Sequence, residues 1–152
     1  MSKRYEEYLE VIHEVVEKKG YARAKDLANA LHVSPSTVTE MIQKLDKEGY
    51  VNYEKYGGMT LTPKGKKLVE DLARKHEVLK NFFILIGVEE EVAEQDACKI
   101  EHIASDGTTE ALTKFVEFVQ KHDDPRWIER FRIYRERGKL VECPRTKKGN
   151  KK

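Results

Sequence analysis

The sequence predicts a mainly α-helical fold with one small β-hairpin. Apolar residues recur at helical spacing along most of the chain, whereas two short runs around Gly57-Gly58 alternate as strands do. Before the hairpin, a short helix, a tight turn and a capped helix follow in the order of a helix-turn-helix. These features together predict an N-terminal winged helix-turn-helix followed by a C-terminal helical dimerisation domain.

The N-terminal elements are predicted from their apolar spacing and their end signals. Gly20 ends the first helix, and His32-Val33 forms the turn before the third. Ser34 caps that third helix, Pro35 occupies its first position, and Gly49 closes it. The expected elements are helices over residues 5–19, 23–31 and 35–48, and strands over residues 51–56 and 59–62.

The C-terminal half is predicted to consist of four helices. Pro63 opens a long helix over residues 64–86, and Gly87 ends it. Further helices are expected over residues 89–105, from a cap at Thr108 or Thr109 to residue 122, and from Asp124-Pro125 to residue 137. We therefore divide the chain into a winged DNA-binding domain (1–63), a helical metal-binding and dimerisation domain (64–137) and a basic, disordered tail (138–152).

Composition narrows the class of protein. The chain has 152 residues, of which 39% are hydrophobic and 37% charged, with a net charge of +2. No run of about 18 apolar residues is present, and the N-terminus lacks the apolar core of a signal peptide. Two cysteines, Cys98 and Cys143, make no disulfide framework. We expect a reduced, cytoplasmic protein without a membrane partner.

The third helix is the candidate DNA-reading element. In a helix-turn-helix the second helix lies in the major groove, and its N-terminal residues reach base edges. Glu40 suits a cytosine amino group and Gln43 suits adenine. An ordinary helix cap is the structural alternative for the hydroxyl residues at its start. The candidate DNA contacts are Ser34, Pro35, Ser36, Thr37, Thr39, Glu40, Gln43 and Lys44, with Lys47 and Lys55 at phosphates.

The charge balance favours a dimer on DNA. The DNA-binding half is close to neutral, and affinity for double-stranded DNA rises with the number of phosphates neutralised. A two-fold operator would double those contacts. Apolar stripes in the C-terminal half offer a dimer surface, through Ile100, Ile103, Ala104, Leu112, Phe115, Val116 and Val119.

A second set of residues points to metal binding. Cys98, Glu101 and His102 fall at positions i, i+3 and i+4, which share one face of a helix. Thiolate, carboxylate and imidazole all bind divalent transition metals. His76 and the pair Glu7/Glu10 lie on other predicted helices and offer further donors.

With these motifs the chain resembles the family of diphtheria-toxin-repressor-like metalloregulators. Within that family it is most similar to the short manganese transport regulators. The resemblance covers about residues 5–122. It implies a homodimer in which a divalent metal joins the first helix to helices of the dimerisation domain, so that the protein represses metal-uptake genes. The most specific stretches are residues 7–10, 18–23, 36–47, 61–65, 74–77 and 97–102.

The resemblance also implies a metal-ligand set. Glu10 matches a carboxylate ligand of the manganese branch, Glu7 stands where that branch has Asp, and Cys98 stands where the iron branch has Cys. His76, Glu101 and His102 match ligands of both branches. Lys80 and Glu94 replace an acidic residue and a histidine of the second iron-type site. A single mixed site and a manganese-type cluster both remain open, with Mn²⁺ or Fe²⁺ as the expected cofactor and Co²⁺ or Zn²⁺ able to bind in vitro.

These residues are compatible with three functions to different degrees. The leading hypothesis is a metal-dependent transcriptional repressor that binds double-stranded operator DNA and has no small-molecule substrate. A winged-helix regulator of a non-metal signal is the alternative, in which the ligands would be ordinary polar groups. An enzyme using Cys98 with His102 is disfavoured, because no oxyanion element or Gly-rich loop is visible and the winged helix would be unexplained.

Overall fold

The computed structural model describes residues 2–121 and 126–142. In the described part of the chain, one β-hairpin lies between the third and the fourth helix. Within these residues the mainly helical fold class with a hairpin wing is confirmed. The elements are α1 (Lys3–Lys19), α2 (Ala24–Leu31), α3 (Pro35–Lys47), β1 (Val51–Glu54), β2 (Gly58–Leu61), α4 (Pro63–Leu85), α5 (Glu90–Ile100), α6 (Asp106–Lys121) and α7 (Arg126–Arg137).

The wing is an antiparallel pair in which Val51 faces Leu61 and Tyr53 faces Met59. Its first strand is two residues shorter than expected, because the chain already turns after Glu54. Ala22 forms a bridge with Met59 and so joins the segment after α1 to the hairpin. Gly58 has φ +91°, and a Cβ there would lie 2.8 Å from the carbonyl oxygen of Ala22, which explains a glycine at this position.

One apolar core holds the N-terminal elements together. Helices α1, α2 and α3, the wing and the start of α4 all contribute buried side chains to it. The most deeply buried large members are Tyr8, Leu9, Ile12, Leu27, Val38, Ile42, Leu45, Val51 and Met59. Because α1 is fixed in this core, any group on its opposite face keeps a defined position relative to α3.

The long helix α4 connects the core to the C-terminal helices. At its start, Thr62 caps the helix by accepting from the Gly65 N–H at 3.1 Å. Farther along, Leu72 and Leu79 of α4 and Ala93 and Ala97 of α5 are buried. The small alanine side chains allow α5 to pack closely on α4, which places the C-terminal end of α5 beside α1.

The structure corrects the predicted end of α5. This helix stops at Ile100 rather than near Ser105, and residues 101–104 form turns. The Ser105 hydroxyl accepts from the Thr108 N–H at 3.3 Å, so Ser105 caps α6, where Thr108 or Thr109 had been expected. A residue that caps the next helix has non-helical backbone, and α5 therefore ends before it. The predicted boundary residues His122, Asp124 and Pro125, as well as Cys143, lie outside the described residues.

Candidate metal centre

Three predicted ligands converge between the two halves of the protein. One donor atom each from Glu10, Glu101 and His102 lies within 4.8 Å of the others. Glu10 comes from α1, whereas Glu101 and His102 follow directly after α5. The side chains of Glu101 and His102 are each only 3% exposed. Buried carboxylates this close together need a cation or protons to balance their charge.

The turn that carries Glu101 and His102 is fixed from α4. Lys75 of α4 donates to the carbonyl of Ala104 at 3.4 Å, and its ammonium lies 2.7 Å from a carboxylate oxygen of Asp106. The Glu101 N–H also donates to the Ala97 carbonyl at 2.9 Å. The turn is therefore anchored at both ends, and both donors are held towards α1.

His102 is oriented by a residue that the sequence did not single out. Its Nδ1 lies 2.8 Å from Oε2 of Glu6, while its Nε2 lies 3.5 Å from Glu101 and 3.6 Å from Glu10. A carboxylate accepts, so the Nδ1–H donates to Glu6, and Nε2 is the ring nitrogen that faces Glu10 and Glu101. This is the usual arrangement behind a metal-binding histidine. Glu6 precedes Glu10 by four residues, and that helical spacing was a signal in the sequence.

His76 contacts the cluster through Glu101. Its Nδ1 lies 2.7 Å from Oε2 of Glu101, and its Nε2 lies 2.9 Å from Oε1 of Glu94. Both ring nitrogens thus face carboxylates. The structure places His76 next to the three converging donors, with Glu101 between it and the other two.

Glu7 points away from the converging donors. Its carboxylate lies 3.7 Å from the ammonium of Lys3 on the same helix, and its side chain is 40% exposed. Glu6, one position earlier, takes the place beside His102. The structure therefore does not bring Glu7 together with Glu10, Glu101 and His102.

Cys98 is an exposed free thiol one helical turn before Glu101. Partial burial of the sulfur raises the pKa of Cys98, and the negative charges of Glu101 and Glu10 raise it further. The charges that act on the thiol are those of the predicted ligands, so a cation bound by them would favour the thiolate. Because this thiol is exposed, Cys98 is not a buried residue of the apolar core.

The electrostatics of Glu10 suit a cation site. Burial raises the pKa of Glu10 to about 7, with further contributions from the neighbouring charges of Glu101 and Glu6. The charge of His102 opposes this rise. Crowded carboxylates and one imidazole are the donors preferred by Mn²⁺ and Fe²⁺, so the residues present fit such an ion.

The candidate DNA contacts lie along α3 and the wing. Most of their side chains are exposed: Ser34, Pro35, Ser36, Thr39, Glu40, Gln43, Lys44, Lys47 and Lys55. Thr37 is half-buried. The apolar side chains of the same helix, Val38, Met41, Ile42 and Leu45, face the core. Helix α3 therefore presents a polar face outward, as a recognition helix must.

The hydroxyl groups at the start of α3 also serve the helix itself. The Ser34 hydroxyl accepts from the Thr37 N–H at 3.3 Å and lies 2.8 Å from the Thr37 hydroxyl. The Thr39 hydroxyl donates to the carbonyl of Pro35 at 2.9 Å. The capping role predicted for Ser34 is confirmed. The longer side chains of Glu40, Gln43 and Lys44 are exposed on the same helix.

Two family models match this chain. "Iron dependent repressor, N-terminal DNA binding domain" matches residues 1–59, and "Iron dependent repressor, metal binding and dimerisation domain" matches residues 62–128. The chain belongs to the iron-dependent repressor family. The resemblance predicted from the sequence is thereby confirmed.

Curated relatives agree with this assignment. The HTH-type transcriptional regulator MntR of Geobacillus thermodenitrificans is 46% identical over 137 residues, covering 90% of this chain and 96% of that protein. The regulator of the same name from Bacillus subtilis is 46% identical over 118 residues, covering 78% and 83%. These relatives are transcriptional regulators, and a metal-dependent DNA-binding transcriptional repressor is the function predicted and confirmed for this chain.

Solved structures share the fold. The manganese-activated repressor ScaR, in its apo form, superposes with a TM-score of 0.66 at 34% identity, covering 74% of this chain. This chain spans about half of that protein, 54% of its length. The protein SSo2273 of Sulfolobus solfataricus superposes with a TM-score of 0.68 at 22% identity, which shows the fold alone. Among the residues that the structure describes, no helix is long and apolar enough to cross a membrane.

Proposed function

We propose that this chain is a homodimeric repressor activated by Mn²⁺ or Fe²⁺, which binds double-stranded operator DNA and controls metal-uptake genes. The observation that carries the proposal is the meeting of Glu10 with Glu101 and His102. Glu10 belongs to the helix that anchors the winged domain, and the other two residues belong to the C-terminal helices. An ion held by all three would connect the two parts.

We rank the proposed ligands by the distances between their donor atoms. Glu10, Glu101 and His102 form the centre, and Cys98 is the adjacent thiol donor. His76 supports Glu101 through its 2.7 Å hydrogen bond and is a further candidate ligand. Glu7 would have to break its ion pair with Lys3 before its carboxylate could bind the ion.

The charge of the site explains how an ion would regulate the protein. Without a cation, Glu10, Glu101 and Glu6 repel one another across the boundary between α1 and the turn after α5. A bound divalent ion supplies the missing positive charge and favours the closed arrangement of the two parts. A coupling of about 1–3 kcal/mol between metal and DNA binding corresponds to a 5–150-fold change in affinity.

DNA binding and metal binding are assigned to different domains. We propose that residues 1–63 read DNA through α3 and the wing, and that residues 64–137 hold the metal and the dimer contact. Exposed Glu40, Gln43 and Lys44 support the first assignment. For the second, the match to a metal-binding and dimerisation model over residues 62–128 is the support.

A dimer is supported by apolar side chains that the single chain leaves exposed. Ile103 is 75% exposed and Phe118 is 55% exposed, although Val116 and Val119 of the predicted stripe are buried within the chain. Light scattering of the metal-free protein at micromolar concentration should give the mass of a dimer, and Ile103→Glu should shift it towards the monomer. A monomeric wild type would exclude the homodimer.

The test of the whole proposal is metal-dependent DNA binding. DNA fragments are selected from a random pool by the Mn²⁺-loaded protein, and their binding is then titrated anaerobically with Mn²⁺, Fe²⁺ and Zn²⁺. Wild type should bind only with metal, and His102→Ala or Glu101→Gln should lose that dependence. Glu14→Gln, an exposed carboxylate of α1, is the matched control. Specific binding that is independent of metal would favour the non-metal regulator instead.

A further inference from the structure

A chain of polar contacts runs from α4 to the candidate metal centre. The ammonium of Lys80 lies 2.8 Å from Oε2 of Glu94, and Oε1 of Glu94 lies 2.9 Å from Nε2 of His76. The Nδ1 of His76 then lies 2.7 Å from Glu101. One positive side chain outside the centre is thus connected to one of its proposed ligands through two intervening groups.

Without Lys80, the side chains around it on α4 and α5 would provide the donors of a second cation site. Two carboxylates face Lys80, since Glu90 approaches its ammonium at 3.8 Å in addition to Glu94 at 2.8 Å. His76 adds an imidazole nitrogen next to Glu94, and Glu77 adds a further negative charge nearby. Two carboxylate oxygens and an imidazole would accept Mn²⁺, as the donors of the first centre do.

We propose that the Lys80 ammonium takes the place of a metal ion beside Glu94 and His76, so that no ion binds at this position in the wild-type protein. The inference rests on the proposed metal-dependent function and specifies that the ions used by that function bind at Glu10, Glu101 and His102 and not beside Lys80. The ammonium occupies one oxygen of Glu94, and the other oxygen is already paired with His76. A divalent ion entering here would displace the lysine or lie against its positive charge, and both outcomes cost free energy.

The pKa values of Lys80 and Glu94 are shifted in the directions that keep both side chains charged. Its hydrogen bond to Glu94 raises the pKa of Lys80, and the same contact with Lys80 lowers the pKa of Glu94. Lys80 therefore stays charged at every pH at which carboxylates and imidazoles bind metals. With Nε2 turned to Glu94, His76 has only Nδ1 directed at the first centre, where it supports Glu101.

The number of bound ions tests this inference. The metal-free, full-length protein is titrated anaerobically with Mn²⁺, and free Mn²⁺ is followed by its paramagnetic resonance signal. We expect Lys80→Glu to bind one more ion per chain than wild type, and Lys80→Gln to gain the same ion more weakly. Lys67→Glu, the same charge change at an exposed position of α4, should bind as many ions as wild type.

The possible outcomes separate this inference from the proposed function. An unchanged number of ions in a Lys80→Glu variant that melts like wild type, or an equal gain of ions in Lys67→Glu, would overturn the role of Lys80. Either result would leave metal-dependent repression standing. A wild type that binds no Mn²⁺ would instead overturn the proposed function together with the inference. If Lys80→Glu does not fold, the number of ions bound by Lys80→Gln, compared with wild type, still decides.

Discussion

Oε2 of Glu6 and Nδ1 of His102 lie 2.8 Å apart, although 96 residues separate them in the chain. This hydrogen bond joins α1 of the winged half to the turn after α5. It also fixes which nitrogen of His102 faces Glu10 and Glu101. A contact that orients a ligand and crosses the boundary between the two halves can influence both metal affinity and DNA binding.

The first prediction concerns this contact. Glu6→Ala removes the acceptor of the His102 Nδ1–H, so the ring loses its fixed orientation, and Mn²⁺ affinity should fall about 10–100-fold. Glu6→Gln keeps an acceptor oxygen and should lose less. Calorimetric Mn²⁺ titration measures both variants, with Glu14→Ala as the control on the same helix. Equal affinity in Glu6→Ala and wild type would remove Glu6 from the site.

The second prediction concerns pH and the metal-free protein. The folded-state pKa of Glu10 is raised to about 7, above the ordinary glutamate pKa of 4.5. Such a group stabilises the fold fully below its unfolded pKa, and that contribution is lost as pH rises through about 7. Metal-free wild type should therefore lose up to about 3 kcal/mol of this contribution between acidic pH and pH 8.

Glu10→Gln isolates that effect. The amide does not ionise, so the variant should lack this part of the pH dependence and should exceed wild type in stability at pH 8. Urea unfolding at pH 5 and pH 8 measures the free energy of unfolding, and Glu14→Gln is the control. An identical pH dependence in Glu10→Gln and wild type would contradict the assignment.

The third prediction concerns metal preference. Cys98 is exposed, so Cys98→Glu does not force a carboxylate into an apolar interior and should leave the melting temperature nearly unchanged. Replacing a thiol by a carboxylate hardens the donor set, and activation should shift from Fe²⁺, Co²⁺ or Zn²⁺ towards Mn²⁺. Operator binding with each metal gives the ranking, with Cys98→Ser as the comparison. An unchanged ranking would exclude the thiol as a ligand.

The fourth prediction separates DNA reading from metal sensing. Gln43 lies on the exposed face of α3, and Gln43→Ala should weaken binding to the selected DNA by about 1–3 kcal/mol if it removes a base contact. Metal affinity of the free protein should stay the same, because Gln43 contributes nothing to the centre. Gln95→Ala, an exposed glutamine of α5, is the matched control. Reduced metal affinity in Gln43→Ala would show that the helix assignment is wrong.

Local sequence patterns were sufficient to predict the helices and the two strands of the wing. Ser34-Pro35 and Thr62-Pro63 place a cap and a proline at the starts of α3 and α4, and both helices begin at the proline. Such signals act within a few residues, so they can be read without knowing the fold. The end of α5 was predicted too late, because residues 101–104 contain no glycine or proline that would mark a turn and the cap at Ser105 belongs to α6.

The sequence by itself determined the types of donor and the elements that carry them, because capping, turn formation and helical periodicity depend on neighbouring residues. Tertiary structure alone decided which carboxylate of α1 meets His102. Glu6 and Glu7 are adjacent and chemically identical, and only the rotation of α1 in its core turns Glu6 inward and leaves Glu7 beside Lys3. The pairing of Lys80 with Glu94 was equally beyond local patterns, since it depends on how closely Ala93 and Ala97 bring α5 to α4.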